Sequence, residues 1–178
     1  VVSSFPTLVA ACGALLLVGG GLHAQGPVTR ALQERERVAA RNLMGAAEAM
    51  PEDRFAFKPT PPHMSFGELV VHVATSNMLL CSALAGEPPP PEHPVAGTDP
   101  KDLLMWRLKA SFDLCNAVLE HADDSFLHDV ILELDGRRTS RAEALIELAS
   151  MWADHYSQMA MYLRLNGLEP PTAKRKER

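Results

Sequence analysis

The stretch Glu87-Pro-Pro-Pro-Pro-Glu-His-Pro-Val-Ala-Gly-Thr98 constrains this chain more than any other, because it joins two segments of helical periodicity without allowing a tight turn. A stiff, proline-rich link covers about 3 Å per residue, while a helix of some twenty residues is ~30 Å long. The link is therefore long enough to run back along a whole helix, so the two helices it joins are expected to lie side by side and parallel. Cys81 and Cys115 each fall about fifteen residues into their helices, so parallel packing puts them at one level. In an antiparallel hairpin they would be displaced by ~15 Å, beyond the reach of a disulfide. A Cys81–Cys115 bond is accordingly expected.

Four helices are expected in all. The first runs from Pro27 to Met50, with Leu32, Val38, Ala39, Leu43, Ala46 and Met50 as its apolar stripe. Glu34, Arg35, Glu36, Arg37 and Arg41 are read as its solvated face. The second opens at a capping box, Ser65-Phe-Gly-Glu68, buries Phe66, Leu69, Val73, Leu80 and Leu84, and stops at Gly86. The third is expected to start at Thr98-Asp99-Pro100, an N-cap followed by proline at the first helical position, and to bury Leu104, Leu108, Phe112, Cys115 and Leu119. The fourth opens at a second capping box, Ser140-Arg-Ala-Glu143, and ends at Asn166-Gly167 ahead of Pro170-Pro171. Phe55 and Phe57, in the linker before helix two, should pack on the end of the bundle. Trp106 and Trp152 are read as packing residues, and Val130–Leu134 with Asp135-Gly136 as a short strand-like turn.

Ahead of these helices lies an uncharged apolar segment, Phe5 through Gly21, about the length of a signal-peptide core and short for a membrane span. Ala24 suits the position before a cleavage point. Residues 1–24 are therefore read as a signal peptide, 25–171 as one domain and 172–178 as a solvated tail. The expected location is outside the cytoplasm, in the periplasm, with no stable membrane association after cleavage. An uncleaved anchor is the alternative. The net charge of −5 falls wholly on residues 25–178 and argues against nucleic acid, which needs a concentrated basic surface.

Two histidines lie within helices. His72 is in the middle of helix two, and His155 shares the inward stripe of helix four with Leu148, Met151, Met159 and Tyr162. If helices two and four run in opposite directions, these histidines fall at comparable heights. His63, His93, His121 and His128 fall in loops or near helix ends, where an exposed role is expected. The chain has no glycine-rich phosphate loop, no paired CxxC, no His-Glu-x-x-His and no nucleophile elbow.

Several pieces in order carry a resemblance: Phe55-Ala-Phe-Lys-Pro59, Ser65-Phe-Gly-Glu-Leu-Val-Val-His72, Asn77 through Cys81, Ser111 through Cys115, and Asp154-His155-Tyr-Ser-Gln158 leading to Pro171. Together they resemble the DinB-like superfamily. That resemblance implies an all-α four-helix bundle in up-down-down-up order, with a long crossover between helices two and three. It also implies a divalent metal, zinc or nickel, held by one histidine of helix two and two of helix four at i, i+4 spacing, which places both on one helical face.

His72 matches the first of these ligand positions and His155 the last, but Met151 stands at the middle one. A thioether is a soft ligand that suits copper(I) better than zinc or nickel. The expectation is an exported domain with an altered metal site at His72 and His155, its activity open. The alternative is a non-catalytic bundle binding a small ligand or a protein partner, and a homodimer is also compatible with the resemblance.

Overall fold

A computed structural model of the chain describes residues 26–91, 94–132 and 136–173. The expected signal peptide, His93 and the tail beyond residue 173 lie outside the described residues. The described elements are four helices, α1 (Pro27–Ala49), α2 (Phe66–Ala85), α3 (Lys101–Glu120) and α4 (Arg141–Leu165). Two 3-10 turns lie at Glu52–Arg54 and Asp124–His128, and strands β1 (Val130–Leu132) and β2 (Arg138–Ser140) form a small antiparallel hairpin.

Local chemistry sets the ends of these helices. Ser65 and Ser140 each accept the amide of the glutamate three residues on, whose carboxylate bonds back to the serine N–H, so both expected capping boxes form. Helix α2 stops at Gly86, whose φ of +76° suits a residue without a Cβ. Helix α1 has no side-chain cap of its own. Distant Asp124 instead accepts the Thr29 amide (2.9 Å) and the Thr29 hydroxyl (3.1 Å), and those bonds, the Thr29 amide first, hold its carboxyl below the usual range.

The start of α3 differs from expectation. Pro100 is its N-cap residue, and Asp99 turns away to accept the Ala96 amide at 2.9 Å. Glu52 takes the first amide of α3 at 3.1 Å, while the Lys101 ammonium donates to the last carbonyls of α1, Glu48 and Met50. One turn of chain thus ties the end of α1 to the start of α3.

Directions follow from pairs of contacts. Asn77 meets Ser111 and Cys81 meets Cys115 at the same sequence separation, 34, so α2 and α3 run parallel. Arg141 at the start of α4 donates to the Leu84 carbonyl at the end of α2, and Tyr162 near the end of α4 donates to the Met64 carbonyl ahead of α2. Helices α2 and α4 are therefore antiparallel, and the order is up-down-down-up. The crossover returns against the first turn of α2 so closely that a Cβ on Gly67 would lie 2.0 Å from the Gly97 carbonyl oxygen. Cys81 and Cys115 form the expected disulfide, fully inside the bundle.

The core is filled by Phe66, Leu69, Val73 and Leu84 of α2, by the five residues expected of α3, and by Leu148, Trp152, Met159 and Tyr162 of α4, with Leu80 only half-buried. Phe55 packs edge-on against Phe66, and Phe57 against Tyr162, closing one end of the bundle. Although α2 is long and apolar enough to cross a membrane, its apolar residues serve this core.

Two expectations need correction. Trp106 is 66% exposed on α3 and does not pack, in contrast to Trp152. Glu36 is not on a solvated face, being only 2% exposed. Helix α1 packs against both α3 and α4, so its buried arc is wider than one apolar stripe and takes in Thr29, Gln33 and Glu36. Burial, reinforced by the negative charges of Asp113 and Glu120, pushes the Glu36 carboxyl up to about 7 even with Arg37 nearby.

Candidate functional site

The antiparallel pairing of α2 and α4 brings His72 and His155 together. Their rings stack with centroids 4.7 Å apart and planes inclined by 29°. His155 lies one turn beyond Met151 on α4, and its Nδ1 sits 2.8 Å from the Met151 carbonyl oxygen. A carbonyl can only accept, so Nδ1 carries a proton, and in the neutral imidazole Nε2 is then the nitrogen with the free lone pair. This arrangement, one ring nitrogen donating to backbone and the other free, is the one that orients metal-binding imidazoles. Both rings are half-buried. Burial, followed by the proximity of His155, pushes the His72 imidazole below its ordinary value and favours its neutral form.

The polar groups nearby are already engaged. Asp154 is exposed, bonds to Gln158 at 2.7 Å, and reaches no closer than 3.9 Å to His155 Nδ1. Asn77 is fully buried and spans three helices. Its amide donates to Ser111 Oγ (3.0 Å) and its oxygen accepts from Trp152 Nε1 (2.7 Å), while the Ser111 hydroxyl donates to the Leu108 carbonyl (2.7 Å). That chain uses both ends of the Asn77 side chain in holding the bundle together. Of the other histidines, His63 lies in a loop beside Thr60 and His121 caps α3 against the Ala117 carbonyl. His128 closes the second 3-10 turn. None approaches the pair closely enough to form a metal cluster among the described residues.

A groove of about 470 Å³ adjoins His72 between α2 and the returning crossover, lined by Met64, Glu68, Val71, Thr75 and Val95–Gly97. Its walls are mostly apolar, with the His72 imidazole, the Glu68 carboxylate and the Thr75 hydroxyl as polar features. Glu68 Oε2 is occupied by the Ser65 amide (2.6 Å) and by Lys58 (2.9 Å), and these bonds, the backbone one first, hold the carboxyl at about 2. His155 does not line the groove, so His72 belongs to both places. Sequence reasoning missed this groove, because Gly97, which lines it, meets Gly67 only once the crossover has returned.

The residues present fit zinc or nickel poorly. Two imidazoles are at hand, the residue one turn before His155 on α4 is a methionine, Met151, and no third His, Cys, Asp or Glu gathers here among the described residues. Hard or borderline divalent ions discriminate against that donor.

Comparison with known proteins places this fold. A conserved protein of Enterococcus faecalis shares 21% identity over 80% of this chain and 98% of its own, with a TM-score of 0.65. A DinB-like protein of Bacillus subtilis shares 22% over 79% of this chain and 95% of its own, also at 0.65. A mycothiol-dependent maleylpyruvate isomerase is similar at 17% identity, covering 74% of this chain and 60% of its own, with a TM-score of 0.59. Comparison with curated proteins finds no match. At these identities the solved structures speak for the fold alone. The DinB superfamily profile matches residues 34–159, most of the chain, from within α1 to beyond the His155 turn; the chain belongs to the DinB superfamily.

Proposed function

We propose that this chain is an exported DinB-superfamily domain, spanning 25–171 after loss of 1–24, whose His72–His155 pair is an altered metal-binding centre. The observation that carries the reading is the stacking of the two imidazoles across α2 and α4 at 4.7 Å. Met151 takes the third ligand position, so zinc or nickel would be held through His72 and His155 alone and weakly. A metal held there would supply Lewis acidity. This chain's own part is to present the lone pair of His155 Nε2 and the half-buried His72 ring. The isomerase activity of the mycothiol-dependent neighbour is no part of this reading, since 17% identity speaks for the fold alone.

Export is supported by the uncharged apolar segment before residue 22 and by the buried Cys81–Cys115 disulfide, a bond that persists in oxidising compartments. A second reading, a bundle that binds a small apolar molecule, is favoured by the groove beside His72, whose volume of about 470 Å³ lies in the range of ligand pockets.

Zinc uptake by the purified protein, followed by native mass spectrometry, tests the first reading. One zinc ion is expected at excess metal, removable by a mild chelator and absent from both His72→Ala and His155→Ala. A wild-type protein that takes up no metal would contradict the first reading and leave the second.

A further inference from the structure

We propose that the His72, His155 and Met151 side chains form a site for a soft monovalent metal ion, copper(I), in preference to zinc or nickel. This rests on the reading of the histidine pair as a metal centre and names the ion that the pair takes.

Three observations carry it. The first is donor chemistry. A thioether with two imidazoles is a soft set, and softness of ligand selects copper(I), whereas zinc and nickel are served by imidazole together with harder or charged donors. Among the described residues no such harder donor completes the set, because Asp154 faces solvent and accepts from Gln158, while Asn77 is spent on Ser111 and Trp152.

The second is position. Met151 and His155 are one turn apart on the same face of α4, which directs their side chains to one region. The register fixed by Tyr162 against Met64 and by Arg141 against Leu84 brings that region level with His72 and the turn of α2 that follows it. Met151 packs against the core and is half-buried.

The third is orientation. The Met151 carbonyl fixes the proton on His155 Nδ1 and leaves Nε2 as the coordinating atom. The Met151 residue thus acts twice, its backbone orienting one ligand and its side chain supplying another.

Binding is a simple association and needs no oxidant or reductant beyond what keeps the copper as copper(I). The test is an anaerobic titration of the purified protein with copper(I) against a colorimetric copper(I) chelator. Ascorbate serves as reductant because it leaves disulfides intact, and parallel titrations use zinc and nickel. X-ray absorption at the copper edge then identifies the donors.

The expected result is one copper(I) ion, bound more tightly than zinc or nickel, with one sulfur and two nitrogen neighbours. Met151→Leu, which conserves volume, should weaken copper(I) by about 10–100-fold or more, since even losing an outer-shell partner costs that much. It should also remove the sulfur neighbour and leave weak zinc binding unchanged. Met151→His should reverse the preference toward zinc, which gives a gain of binding that a merely misfolded variant cannot show.

Two results would overturn the inference while leaving the metal reading intact. One is zinc or nickel bound more tightly than copper(I) by the wild-type protein, and the other is copper(I) affinity unchanged in Met151→Leu. No uptake of any of the three metals would overturn both.

Discussion

The two faces of α2 are built differently. Toward α3 it is fastened by a disulfide and by Asn77 bonding Ser111, and its first turn sits against the crossover where Gly67 meets Gly97. Toward α4, near its middle, it offers a half-buried imidazole stacked on another, with an apolar groove alongside. The first face is closed by these bonds, while the second, although tied to α4 by Trp152 on Asn77 and by Arg141 on the Leu84 carbonyl, sets two imidazoles side by side next to a groove. Stability and binding are thus separated on one helix, and substitutions on the two faces should report it.

The largest effect should come from the fastened face. The Cys81–Cys115 bond spans a sequence separation of 34, and removing it with Cys81→Ala and Cys115→Ala together should cost about 3–4 kcal/mol by the chain-entropy relation. Denaturant unfolding would measure this, and a loss under about 1 kcal/mol would break the comparison. Next comes Asn77→Ala, which strands a buried Trp152 N–H and deprives Ser111 of a donor. A loss of about 2–3 kcal/mol is expected.

The Glu36 carboxyl should have an effect of opposite sign. Its folded value, about 7, lies above the 4.5 of an ordinary glutamate, so its contribution is fully present below 4.5 and is lost as pH rises through 7. Glu36→Gln should therefore be more stable than wild type at pH 8, by up to about 3 kcal/mol, and show no such gain at pH 4. Parallel pH profiles of unfolding for the two proteins would fail this. The smallest effect belongs to the open face. His72→Leu should change stability by under about 1 kcal/mol while abolishing metal uptake, since a half-buried site residue contributes little to packing. A large loss of stability would mean that His72 is structural after all.

Much of the scaffold was legible because it is written in local chemistry. The two serine capping boxes and the length of the Pro88–Pro94 link determine helix starts and topology, and the topology in turn predicts which cysteines meet. The meeting of His72 and His155 followed from the same register. What escaped was burial that polarity does not announce. Thr29, Gln33, Glu36, Leu43, Ala47 and Met50 form a single stripe at helical spacing, polar at one end and apolar at the other. Reading by polarity split that stripe and put Glu36 in water. The Asn77 network was missed for a related reason, because one residue's bonds to two other helices leave no trace in its own neighbours. The groove depends on where the crossover returns, which Gly67 and Gly97 mark only when considered together.

The most direct test of the account is proton NMR of the imidazole side chains of His72 and His155 in the purified protein, before and after metal. A nuclear Overhauser effect between the two rings, a proton on His155 Nδ1, and joint shifts of both rings on addition of one equivalent of metal are expected. Rings that show no mutual effect and respond to metal independently would contradict it.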